Sequence, residues 1–224
     1  MKSTQTKRVT VSAVMLALST VLALVCAFFL PFLRLPMGGS FTLASMLPIV
    51  IVSYMFGVKW GLCTSFAYAL IQIIMDLCMG VSGSAIMVLF MPSSDEYMGM
   101  VAAVSILVID YLIAYTVLGF GGLFRNRFGK TRALCVGSIV ALSLRYLAHI
   151  VSGYIFYGAW AEWFFSQEGW FSGLGAWLME HLSGNALALV YSVFYNGLYM
   201  IPEIVITAVV AVAVSAIGEI KKHN

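Results

Sequence analysis

MGMVAAVSILVIDYLIAYTVLGFGGLF (98–124), RNRFGKTR (125–132) and ALCVGSIVALSLRYLAHIVSGYIFY (133–157) follow one another without a gap, and their reading decides the fold. About 20 apolar residues in a helix cross the roughly 30 Å hydrocarbon layer of a bilayer. Both apolar stretches exceed that length. The stretch between them carries Arg125, Arg127, Lys130 and Arg132. Two apolar runs joined by a short basic turn predict a helical hairpin embedded in a membrane, with its turn on the cytoplasmic side.

The rest of the chain has the same character. It is 62% hydrophobic and 9% charged over 224 residues, with a mean hydropathy of +1.00. Soluble domains carry about 25% charged residues, so the bilayer must act as solvent for this one. Further apolar runs cover about 9–30, 41–56, 60–79 and 185–217. With 98–124 and 133–157 they predict an all-α polytopic membrane protein, a single domain over 1–224 with six transmembrane helices. Gly57 to Lys59 reads as a tight turn, and Pro202 as a candidate kink in the last helix. The first run is too long for a signal-peptide core and no small-residue cleavage site follows it, so it reads as a retained helix. Val25 before Cys26 argues against a lipoprotein-type site. The four cysteines, all in or beside apolar runs, read as small apolar fillers.

Lysine and arginine set the orientation. With the N-terminus inside, the inner segments hold Lys2, Lys7, Arg8, Lys59, Arg125, Arg127, Lys130, Arg132, Lys221 and Lys222. The outer segments hold only Arg34, against Asp95, Glu96, Glu162, Glu168 and Glu180. Both ends are therefore expected in the cytoplasm. Two outer segments are unusual. Gly80–Tyr97 contains an apolar stretch too short to span. Trp160–Glu180 is rich in Trp, Phe and Gly, as befits the headgroup level.

Charged side chains at membrane depth are costly and mark functional candidates. Asp110, Arg145 and Glu203 are such residues, and His149 and Asn196 join them. Arg145, His149, Gly153 and Tyr157 lie four apart on one helix face, as do Tyr191, Tyr195, Tyr199 and Glu203. Arg145 reads as a staple that neutralises Asp110 or Glu203, and Gly153 as a place where a ligand approaches the backbone. A carboxylate, an imidazole, an amide and several aromatic rings suit a flat, partly cationic small molecule. A phosphate is a poor match for so few outer cations.

Sites for other chemistry are missing. Gly129-Lys130-Thr131 mimics the end of a nucleotide-binding loop, but Phe124 stands where its first glycine is required. Neither a protease-type nor an esterase-type motif is present. No enzyme activity, cofactor, metal or nucleic-acid partner is expected. A proton-coupled permease using Asp110 and His149 stays open on these residues alone.

Several stretches, spread over most of the chain, resemble the thiamine-specific substrate-binding subunit (S-component) of energy-coupling factor transporters. They are Pro36-Met-Gly-Gly-Ser40 with Met46-Leu-Pro-Ile49, Asp110-Tyr111-Leu-Ile-Ala-Tyr115, Leu144-Arg-Tyr-Leu-Ala-His149 with Ser152-Gly153, and Tyr191-Ser-Val-Phe-Tyr-Asn196 with Tyr199-Met-Ile-Pro202. The resemblance implies a six-helix subunit that binds thiamine near its outer face through Asp110, Tyr111, His149, Gly153, Tyr157, Tyr191 and Asn196. It implies docking on a transmembrane coupling subunit through Ala13 and Ala17, with two ATP-binding subunits as the motor. The chain departs from the pattern in three respects. Asp110 stands where some members have glutamate. The first outer loop has Gly38, Gly39 and Phe41 but no tryptophan, and Tyr157 replaces a tryptophan found in some members, which makes Trp160 or Trp163 a candidate substitute. A different vitamin or a thiamine precursor remains the rival ligand.

Overall fold

The computed structural model describes residues 2–30, 35, 39–40, 42–78, 85–94, 97–169 and 171–223, and its regular elements there are all helices. Arg34, Pro36, Gly38, Phe41, Gly80, Asp95 and Glu96, named above, lie outside the described residues. In chain order the helices are α1 (Lys2–Phe29), α2 (Leu47–Phe56), α3 (Val58–Cys78), α4 (Ala85–Phe90), α5 (Met100–Gly122), α6 (Lys130–Phe156), α7 (Ala161–Phe165), α8 (Ser172–His181) and α9 (Gly184–Val214). α1, α3, α5, α6 and α9 are long and apolar enough to cross a membrane. α9 continues through Pro202.

The second crossing differs from the expected 41–56. α2 has ten residues, all buried, and at about 1.5 Å per residue it reaches only halfway across the hydrocarbon layer. Its start is delayed because Leu43 and Ala44 have φ of 46° and 66°. Non-glycine residues rarely adopt this left-handed region, and a helix cannot pass through it. The carboxylate of Glu203 on α9 holds the turn. It accepts the Thr42 N–H at 2.5 Å and the Ala44 N–H at 3.1 Å, with the hydroxyls of Thr42 and Thr207 at 3.5 and 3.3 Å. Glu203 is 1% exposed. Gly39 and Ser40, in the loop ahead of this turn, line the polar cavity described below.

Around α2 the helices approach through small residues. A methyl group on Gly121 would come within 2.6 Å of Val50, and one on Gly137 within 2.0 Å of the Gly121 carbonyl. Ser53 donates to the Gly119 carbonyl and accepts the Gly122 N–H, tying α2 to the last turn of α5. α2 is then capped by Gly57, at φ 91°, and α3 begins at once with Val58, so the turn is shorter than Gly57–Lys59. The widest contact in the bundle joins α6 and α9.

The basic segments gather at one end. Arg125 Nη2 donates to the carbonyls of Met55 and His223, Lys130 Nζ to that of Ile217, and the Trp60 indole to Ser12 Oγ. This brings the start of α1, the α2–α3 turn, the basic turn and the C-terminal tail together, as the charge pattern requires of the cytoplasmic end.

Removing the Glu203 carboxylate strands two buried amides. Glu203→Ala is expected to lower stability by about 2–4 kcal/mol, read as an earlier thermal unfolding of the detergent-solubilised protein.

Candidate functional site

Asp110 and Tyr111 sit in a π-helical turn, Leu107–Ile113, within α5. One extra residue per turn re-aims side chains, and such turns concentrate at functional sites. Here the turn directs Asp110 toward α6. Asp110 Oδ1 lies 2.8 Å from His149 Nδ1, and its Oδ2 accepts from Ser152 Oγ at 2.6 Å. On the far side of the ring, Arg145 Nε donates to His149 Nε2 at 3.2 Å. That donor requires a lone pair on Nε2, so the ring proton resides on Nδ1 and is donated to Asp110. The guanidinium is held further by Met46 Sδ and by the Tyr115 ring, 4.2 Å from Cζ to centroid.

α9 supplies the opposite wall. Asn196 Nδ2 donates to the carbonyls of His149 (3.2 Å) and Ser192 (2.9 Å), and Asn196 Oδ1 accepts from Tyr199 at 2.5 Å. Asn196 therefore fixes the backbone beneath His149 and the phenol beside it. Tyr191 stacks on Tyr195 at 5.8 Å, with Phe164 of α7 edge-on to both. Tyr195 accepts the Gly39 N–H at 3.1 Å, anchoring the loop before α2 over this wall.

These groups enclose a cavity of about 180 Å³, on the order of a dozen water-sized units. Asp110, Tyr111, His149, Gly153, Tyr157, Tyr191 and Asn196, all singled out from the sequence, line it together. Tyr115, Arg145, Tyr195, Tyr199, Gly39 and Ser40 line it as well. Tyr195 and Tyr199 were visible in the four-residue tyrosine ladder. Arg145 is more than a distant staple, for its side chain reaches Asp110 through His149. Ser152 had no signal beyond its place beside Gly153. Asp76, near the end of α3, accepts the Ile86 N–H at 3.0 Å.

A methyl on Gly153 would lie 2.3 Å from Ser192 Oγ and 3.0 Å from Asn196 Nδ2. The glycine thus admits the neighbouring helix while also lining the cavity. Neither Trp160 nor Trp163 lines the cavity. They pack edge to face at 6.0 Å, and Trp163 is exposed. Ala13 and Ala17 both lie on the exposed face of α1, away from the cavity. Among the described residues, no group of three or more His, Cys, Asp or Glu could hold a metal ion.

Comparison with known proteins places this arrangement in a family. The profile described as Thiamine transporter protein (Thia_YuaJ) matches residues 9–171. The chain belongs to this thiamine transporter family. The family is one of transporters and not of enzymes, and the chain is a multi-pass protein of the cell membrane. The curated thiamine transporter ThiT of Bacillus subtilis (strain 168) is 29% identical over 219 residues, covering 93% of this chain and 90% of the relative. The solved structure of ThiT from Listeria monocytogenes superposes with a TM-score of 0.60, covering 95% of this chain and 96% of the other at 16% identity. That likeness speaks for the fold of this member of the family.

A substitution at Gly153 tests the helix contact. Gly153→Ala is expected to cost about 1–3 kcal/mol by forcing α6 and α9 apart. Adding Ser192→Gly removes the obstructing side chain and is expected to recover part of the loss in the same thermal unfolding assay.

Proposed function

We propose that this chain is the thiamine-binding S-component of an energy-coupling factor transporter, which captures thiamine in the cavity among α5, α6 and α9. The observation that carries the reading is the charge and shape of the cavity. One carboxylate, Asp110, and one guanidinium, Arg145, line it. Glu203 is occupied by backbone amides and Arg145 by His149, which leaves Asp110 as the carboxylate that meets a ligand. A cationic thiazolium finds a counter-charge in Asp110, and the faces of Tyr111, Tyr157 and Tyr191 attract it. The flat aminopyrimidine suits the same walls. His149 and Asn196 hold their positions through bonds that leave Asn196 Oδ1 a second lone pair for a ligand donor. The B. subtilis relative, named a thiamine transporter, supports this choice of ligand.

No nucleotide-binding loop is present in the sequence, so the reading assigns the energy to a transmembrane coupling subunit and two ATP-binding subunits. Ala13 and Ala17 on the open face of α1 provide a surface on which another helix can approach closely.

Two measurements test the proposal. Asp110→Ala is expected to weaken thiamine binding at least 30-fold in a tryptophan-fluorescence titration, the loss of a charge-assisted contact being worth about 2 kcal/mol or more. Unchanged affinity would remove Asp110 from the site. Ala13→Trp with Ala17→Trp should leave that affinity intact while abolishing thiamine uptake by the assembled transporter. Full uptake by the double variant would move the docking face elsewhere.

A further inference from the structure

α1 stands apart from the other spanning helices. Only 17% of its most apolar stretch is buried, against 39% for α6, and it packs chiefly on α2 and α3. Between it and α9 lies a groove of about 840 Å³, nearly five times the volume of the polar cavity. One stripe of α1 faces it: Lys7, Val11, Met15, Leu18 and Leu22, spaced four, four, three and four residues apart. Leu47 and Ile51 of α2 form the floor, and Val210 and Val214 of α9 the opposite wall.

The groove is polar at one end only. Lys7, Lys221 and His223 line that mouth, with Glu219 as the one acid. Arg125 pins the tail there through the His223 carbonyl. Burial, and then the positive charges of Lys7, Arg125, Arg8 and Lys221, hold the His223 ring below its ordinary protonation range. From Val11 to Leu22 the apolar part of the stripe is about 16 Å long. One leaflet of the hydrocarbon layer is about 15 Å deep. An apolar slot of leaflet depth beneath a cationic mouth is complementary to an acyl chain beneath an anionic headgroup.

We propose that this groove is a binding site for an anionic glycerophospholipid of the leaflet at the basic end, its acyl chains between α1 and α9 and its phosphate against Lys7 and Lys221. The site is separate from the small-residue face of α1, because Ala13 and Ala17 lie on the other side of that helix. It is also separate from the substrate cavity, so its test does not depend on the ligand assigned above.

The test uses the purified full chain in detergent, titrated with phosphatidylglycerol or phosphatidylcholine and followed by native mass spectrometry. One phosphatidylglycerol is expected to be retained at least 10-fold more tightly than phosphatidylcholine. Lys7→Ala with Lys221→Ala should reduce that retention roughly 10- to 30-fold, since each cation near a membrane surface contributes about fivefold. Met15→Trp, which fills the slot, should reduce retention of both lipids. Unchanged binding of thiamine, or of whichever small molecule the wild-type chain binds, shows that each variant is folded. Equal retention of the two lipids by the wild-type chain would overturn the proposal. So would phosphatidylglycerol retention that neither variant alters. If Met15→Trp blocked assembly with partner subunits while lipid retention stayed the same, the groove would belong to a protein helix and the proposal would fail.

Discussion

A guanidinium, an imidazole and a carboxylate lie at membrane depth in this protein, where lipid offers no hydrogen bond to any of them. They answer the constraint in a single line, with Arg145 donating to His149 and His149 donating to Asp110. Each member fixes the next. The guanidinium forces the imidazole proton onto Nδ1, and that proton holds the carboxylate facing the cavity. The arrangement carries no net charge, and its anionic end, steadied by Ser152, is the most exposed of the three. Removing any member would leave a buried polar group without its partner, which costs more than the bond itself contributes.

The cavity is bordered by the loop that precedes α2, through Gly39 and Ser40. The apolar run at 41–56 suggests a helix over its whole length. The left-handed turn at Leu43 and Ala44 prevents that, and Glu203 holds the turn by its amides. The same turn leads into Met46, which touches the Arg145 guanidinium, and the loop before it reaches Tyr195 through Gly39. Glu203 thus supports the site without lining it.

Much of this was legible in the sequence, for a physical reason. The bilayer fixes the length and apolarity of each crossing, so the long helices and the gathering of Lys and Arg at one end could be read directly. Asp110 and His149 stood out because charge inside an apolar run needs a reason to be there. Other features left no comparable mark. The π-helical turn that aims Asp110 has no composition of its own. The turn before α2 uses leucine and alanine where glycine would have signalled it. Gly153 was visible as a small residue on the right face, but only the packed helices show that Ser192 occupies the space a side chain would take. Trp160 and Trp163 carried the expected aromatic character, yet they pack on each other and do not line the cavity.

The central claim is that a carboxylate-bearing, tyrosine-walled cavity in this bundle holds the thiamine cation. The most direct measurement is mass spectrometry of the small molecules released from the protein after purification from cells grown with thiamine. The account predicts thiamine at about one molecule per chain. Recovery of a different vitamin at that stoichiometry, with thiamine unable to displace it, would contradict the account.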